Sequence, residues 1–167
     1  IVEPLELVIG IRHEGPLYSA AIDARGRFAV TVSTDHQAIV WDINSRTALR
    51  VLRGHRGAVT SVALTPDGET IVTGSSDGRA RVFAGGAVIG LELEIPTGKA
   101  VNAVAISPDG KLVAVGDRAS RIHVYELPRG TLRTSLTGHR DFIKSLLFSR
   151  DGGALASTSD DNHGIIW

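Results

Sequence analysis

Cysteine is missing from this chain, and with it both disulfides and thiolate metal sites. An excess of one charge is missing too. Lys plus Arg and Asp plus Glu both number 18, so the formal net charge is zero. Nucleic-acid binders and membrane-surface binders carry a basic excess, and both kinds of partner are set aside on that ground. No apolar run approaches the roughly 20 residues of a membrane span, and there is no secretory signal. The expected location is the cytoplasm. Methionine is absent even at position 1, which points to a chain processed, excised or trimmed from a longer one. Lysine is scarce, three residues against fifteen Arg, the skew of a GC-rich genome. What remains is 43% hydrophobic over 167 residues, enough for the core of one domain.

A repeat is what the chain does have. Gly54-His55 precedes the apolar run Val59–Leu64, and His13 precedes Leu17–Ile22 at a distance of 42 residues. Gly138-His139 precedes Ile143–Phe148 two such steps later, and Thr97-Gly98 holds the same slot before Val101–Ile106. A turn recurs in the same frame at Arg25-Gly26, Asp67-Gly68, Asp109-Gly110 and Asp151-Gly152. An aromatic follows at Trp41, Phe83, Tyr125 and Trp167. A period near 40 residues marks repeat architectures.

Each unit reads as strands. Segments of five to seven residues rich in Val, Ile, Leu, Thr and Ala are punctuated by Gly and Asp. In the second unit, strands a, b, c and d are expected at 59–64, 69–75, 79–84 and 88–95, and the others follow in frame. No segment has a convincing helical period. Four-stranded units of this length, packed face to face, make propeller blades. The expected fold is all-β: β-propeller blades of four antiparallel strands, four blade equivalents in the chain. The expected divisions are a lone d strand within 1–11, repeats at 12–53, 54–95 and 96–137, and strands a to c at 138–167.

Gly138-His139, the Ser149-Arg150-Asp151-Gly152 turn, Ser157, Asp161 and Trp167 resemble the WD-repeat β-propeller family. So do Gly54-His55, Thr65-Pro66-Asp67-Gly68 and Thr73-Gly74-Ser75-Ser76-Asp77 in the second unit, and Ile39-Val40-Trp41-Asp42 in the first. The resemblance covers essentially the whole chain. It is specific for fold and unspecific for function. It implies a hydrogen-bonded series running from a His before strand a through a Ser or Thr on strand b to a Trp on strand c, with an Asp in the b–c turn. Carried over, these are His13, Thr31, Asp35 and Trp41 in the first unit and His139, Ser157, Asp161 and Trp167 in the fourth. The second unit has His55, Thr73 and Asp77, but Phe83 has no indole N–H. The third has Thr97, Val115, Ala119 and Tyr125, so this series is gone there and the blade is expected to be the least rigid, or held by a partner.

Ser157, His139 and Asp161 also have the residue types of a hydrolase triad. They recur in frame with the repeat, as Thr73, His55 and Asp77 do, and no G-x-S-x-G nucleophile turn is present. His36, His123 and His163 lie outside the series, and Asp160-Asp161-Asn162 lacks the spacing of a calcium loop. The Gly-rich 73–78 stretch precedes a strand, not a helix, so it is no phosphate loop. No cofactor and no metal are expected.

The remaining functional surface is the face of the d–a and b–c loops. In the family that the chain resembles, partners contact the residue after the first apolar of strand a and the residue before the b–c Asp. By match these are Tyr18, Thr60, Asn102 and Lys144, then Thr34, Ser76, Arg118 and Asp160. The mix of one aromatic with polar groups and both charges suits a protein or peptide partner. The leading expectation is a non-catalytic interaction scaffold. The alternatives are a structural or regulatory domain of a larger bacterial signalling protein, and a propeller enzyme with a central-channel site. Family rings usually have seven or eight blades, so four are not expected to close alone. Residues 5–11 match the d strand at 47–53, which suggests strand exchange. The expectation is a homodimer closing an eight-bladed ring, each copy donating its first strand to the other's last blade, or the remainder of a longer propeller.

Overall fold

A computed structural model describes residues 12–84 and 90–167. All its regular elements are strands. The first sheet holds β1 (Leu17–Ile22), β2 (Phe28–Ser33), β3 (Ala38–Asp42) and β4 (Thr47–Leu52). The second holds β5 (Val59–Leu64), β6 (Thr70–Ser75), β7 (Arg79–Ala84) and β8 (Gly90–Pro96). The third holds β9 (Val101–Ile106), β10 (Leu112–Asp117), β11 (Arg121–Glu126) and β12 (Thr131–Thr137). The fourth, with three described strands, holds β13 (Ile143–Phe148), β14 (Leu155–Ser159) and β15 (Gly164–Ile166). Each is an antiparallel meander in chain order. Strands a to d are thus β1 to β4 and their equivalents. The lone strand expected at 5–11, and the start of the d strand expected at 88, lie outside the described residues.

Local chemistry sets the strand ends. β6 starts at Thr70 rather than 69 because the Glu69 N–H donates to Asp67 Oδ1 at 3.0 Å in the turn. The Thr65 hydroxyl donates to the same oxygen at 2.6 Å, and Ser107 to Asp109 and Ser149 to Asp151 repeat the device. In the first blade Asp23 fills the Thr65 position and accepts from the N–H groups of Arg27 and Phe28. Every b–c turn places one residue at positive φ, namely His36, Gly78, Ser120 and Asn162. That region suits Gly and strains most other residues, so the hydrogen bonds around each turn must hold it.

The sheets stack through three apolar cores. Val30, Val32, Ala38, Val40 and Leu52 of the first sheet meet Val59, Val62, Ile71 and Phe83 of the second. Val72, Ala80, Val82 and Ile95 of the second meet Val101, Val104, Ile106, Val113, Val115 and Tyr125 of the third. Ala103, Ala105, Ala114, Ile122 and Val124 of the third meet Ile143, Leu146 and Leu155 of the fourth, with Trp167 against them. Each sheet therefore has a forward face, turned to the next sheet, and a rear face, turned to the previous one. The four are β-propeller blades in sequence order.

Candidate functional site: the repeat network and the loop face

The segment before strand a and the b–c turn are tied together in every blade. Backbone N–H groups of Thr34, Ser76, Arg118 and Asp160 donate to the carbonyls of Pro16, Ala58, Ala100 and Phe142 at 2.9–3.1 Å. This pairing brings the side chains of the two loops to one face.

Beneath it lie the polar series. In the first blade His13 Nδ1 donates to Asp35 Oδ2 at 2.8 Å, Thr31 Oγ1 donates to His13 Nε2 at 2.9 Å, and Trp41 Nε1 donates to Thr31 Oγ1 at 2.8 Å. Those directions follow from the ends of the series: the carboxylate only accepts and the indole only donates. In the fourth blade the corresponding distances are 2.9, 2.7 and 2.9 Å for His139–Asp161, Ser157–His139 and Trp167–Ser157. Asp35 and Asp161 also accept the N–H groups of Glu14 and Gln37, and of Arg140 and His163. The Asp thus clamps both loops at once.

The second blade departs from this plan. His55 meets Asp77 at 3.0 Å and Thr73 at 2.8 Å, and Phe83 leaves Thr73 without an indole donor. Arg81, buried on β7, joins the series at its other end. Its guanidinium donates to Asp77 Oδ2 at 3.1 Å, pairs with Glu94 and touches His55 Nδ1. Nothing in the repeat pattern singles out Arg81; its only sequence signal is a charge at a strand position where the first blade has Ile39 and the fourth Ile165.

Burial pushes the carboxyls of Asp35, Asp77 and Asp161 up. Hydrogen bonds from backbone N–H groups and the His rings more than reverse it, leaving Asp35 and Asp161 below the ordinary value and Asp77 at about 2. Burial lowers His55, and the Asp77 carboxylate only partly opposes this.

In the third blade Val115 and Tyr125 are buried in the apolar core between the second and third sheets. The Thr97 hydroxyl lies 2.8 Å from the carbonyl oxygens of Gly78 and Lys99. The turn nevertheless keeps a carboxylate. Asp117, two residues before the Asp slot, accepts from the N–H groups of Ala119 and Arg121 at 2.8 and 3.0 Å. His123 Nε2 lies 3.6 Å from it, and His123 Nδ1 meets Ser135 Oγ at 2.8 Å.

Ser157 and Thr73 are buried, with their hydroxyls spent on the neighbouring ring nitrogens. A substrate carbonyl has no approach to either oxygen, so the Ser–His–Asp geometry does not serve a nucleophile here. No group of three His, Asp or Glu side chains suited to a metal ion occurs among the described residues. No helix among them is long and apolar enough to cross a membrane.

On the loop face, Tyr18 is exposed. Asn102 Oδ1 accepts from Arg118 Nε at 3.1 Å, and the same guanidinium stands 5.9 Å from the Phe142 ring centroid. Lys144 pairs with Asp160 at 3.2 Å. Ser76 is exposed and Thr34 half-buried. The Thr60 hydroxyl lies 2.6 Å from the Val101 carbonyl of the next blade, so it joins blades rather than facing solvent. Phe142 escaped the sequence reading: it sits one position before strand a, where the other blades have Pro16, Ala58 and Ala100.

Stacked four-stranded meanders with a hydrogen-bonded series inside the blades define a β-propeller repeat protein. The family model "WD domain, G-beta repeat" matches residues 7–42, 46–83, 92–126 and 130–167, and the chain belongs to this family. Each match ends at or near the strand c aromatic, so the family unit runs d-a-b-c. The human Intraflagellar transport protein 122 homolog is 42% identical over 48 residues, which is 29% of this chain and 4% of that protein. The chain thus aligns with a small part of that relative's length.

Proposed function

We propose that this protein is a non-catalytic scaffold that binds a protein or peptide across the face of its d–a and b–c loops. The observation that carries this is the cluster of Asn102, Arg118 and Phe142, with Lys144–Asp160 beside it. Arg and aromatic side chains concentrate binding energy when a partner excludes water from them. The buried His–Asp series beneath holds these loops in place and is structural in role. Cytoplasmic location accords with this reading. The test is a binding footprint on the identified partner. Tyr18→Ala, Arg118→Ala and Phe142→Ala combined should abolish binding, while Arg129→Ala with Arg150→Ala on the opposite loops should leave it intact. The reverse pattern would overturn the proposal.

We also infer that the chain works as an assembly, a homodimer that closes an eight-bladed ring. The support is apolar surface at both ends of the stack: Leu17 and Ile22 are 60% and 61% exposed, and Leu147 and Ile166 are 70% and 73% exposed. Additional blades of a longer propeller would cover the same surfaces.

A further inference from the structure

The loops of the third blade differ in charge from those of the other three. In the first, second and fourth blades the d–a and b–c loops hold a cation together with at least one carboxylate, as Arg12 with Asp35, Arg56 with Asp77 and Arg140 with Asp161. In the third blade the same loops, 97–100 and 118–120, hold Lys99 and Arg118 and no carboxylate, because Ala119 fills the Asp slot. Asp117, which clamps this turn from the end of β10, is buried, and its Oδ1 is taken by the N–H groups of Ala119 and Arg121. Asp160, which stands at the Arg118 position of the fourth blade, is engaged by Lys144 at 3.2 Å. Lys99 and Arg118 are both exposed, and neither makes an ion pair among the described residues. The Arg118 N–H donates to the Ala100 carbonyl at 3.0 Å, which keeps the two cationic loops side by side.

Arg118 is exposed yet held. Its Nε donates to Asn102 Oδ1 at 3.1 Å, and its guanidinium carbon stands 5.9 Å from the Phe142 ring centroid, within cation–π range. One anchor comes from strand a of the third blade and the other from the loop before strand a of the fourth, so the guanidinium bridges two blades. Both Nη groups remain without a hydrogen bond among the described residues. A guanidinium matches a carboxylate with two parallel N–H donors, and a side chain already held loses less freedom when it binds. Phe142 is 41% exposed, so much of its surface stays open beside that cation.

We propose that the loop face takes an acidic peptide segment of a partner protein, with an Asp or Glu carboxylate on the Nη groups of Arg118 and an adjoining apolar side chain on the open part of Phe142. This rests on the loop-face reading above and names the chemistry that the face selects. The partner supplies the exposed negative charge that the third blade's own loops lack, and Lys99 adds a second cation on the neighbouring loop. Carboxylate and apolar group together give specificity, since neither a cation nor a bare aromatic alone distinguishes this segment.

The test is selection of a phage-displayed random-peptide library on the whole chain at low salt. Selected peptides are then synthesised, labelled and titrated by fluorescence anisotropy, with thermal melts to confirm that each variant folds. The selected peptides should be enriched in Asp or Glu next to an apolar residue. Arg118→Ala should weaken them by about tenfold or more. Arg118→Lys should also weaken them, because the charge stays but the paired donors are lost. High salt should lower the affinity, and Arg129→Ala with Arg150→Ala should leave it unchanged. Selected peptides without acidic residues, acidic peptides indifferent to Arg118→Ala, or no selected peptide at all would overturn the acidic-segment proposal. The loop-face reading fails separately. Peptides released only by Arg129→Ala with Arg150→Ala overturn it, whereas non-acidic peptides released by Tyr18→Ala or Phe142→Ala leave it standing.

Discussion

The first and fourth blades carry complete series of Trp, hydroxyl, His and Asp, and the third carries none of these four residues, yet their b–c turns share one shape. His36, Ser120 and Asn162 occupy the same frame position at φ of 68°, 64° and 65°. The backbone requirement is therefore constant, and the means of meeting it is not. The complete series sit in the two end blades, each with one face that no other described sheet covers. The third blade is packed on both faces and fills the same space with Val115 and Tyr125. Only the clamp on the turn is kept, and it comes from Asp117.

The comparison breaks most sharply at His139. His139→Ala strips Asp161 and Ser157 of a buried partner in one step, each loss costing about 1–3 kcal/mol. A drop of about 3 kcal/mol in unfolding free energy is expected from denaturant titration. Thr97→Ala, at the equivalent slot of the third blade, should cost under about 1 kcal/mol. Equal losses would mean that the polar series is ornamental in the fourth blade.

Asp117 sharpens the contrast. Asp117→Ser installs the residue found at this position in the other blades, Ser33, Ser75 and Ser159, but removes a buried carboxylate and leaves the N–H groups of Ala119 and Arg121 without their acceptor. A loss of about 2 kcal/mol is expected. Asp117→Ser with Ala119→Asp rebuilds the arrangement of the other blades and should recover much of it. Non-additivity of the two changes, read from denaturant midpoints, is the signature. Simple addition would show that the two carboxylate positions are not alternatives.

The blades should also differ in their response to acid. Asp77 is held at about 2, below its ordinary 3.8, so its contribution is present above pH 3.8 and is lost as pH falls towards 2. His55 is lowered, so the fold favours its neutral form. Its contribution is present above about pH 6.5 and declines as pH falls below that value. Both act in the same direction. The melting temperature should fall on acidification from pH 7 to pH 3, and Asp77→Asn should flatten that fall at a cost in stability at pH 7. An unchanged acid slope in the variant would contradict this.

What was legible in the chain was whatever the repeat had to keep. Strand positions and turn glycines are set by backbone geometry common to all blades, and the His–Asp spacing recurs in three of the four, so they can be read in frame. Arg81, Asp117 and Phe142 were not legible, for one reason in three forms. Each is a local solution peculiar to one blade: a guanidinium at the Asp end of a series that lacks its indole, a carboxylate displaced by two residues, and an aromatic in a loop that elsewhere carries Pro or Ala. A pattern aligned on fixed slots sees the missing member and not its substitute. The Thr60 hydroxyl bond was not legible either, since only the neighbouring blade supplies the Val101 carbonyl that it meets.

The smallest expected effect separates the buried series from the loop face above it. Lys144 and Asp160 are both exposed and 3.2 Å apart. A pair in that setting gains little, because water screens the attraction and two long side chains lose freedom in holding it. Lys144→Ala should therefore cost about 0–1 kcal/mol, and less in high salt. His139→Ala lies only five residues earlier in the chain and should cost several times more. Denaturant midpoints for the two variants in low and high salt measure both statements. If Lys144→Ala matched His139→Ala, the loop face would be part of the stabilising framework rather than a surface carried by it. If it left stability alone but weakened the partner, Lys144 would belong with Arg118 and Phe142 as a contact residue.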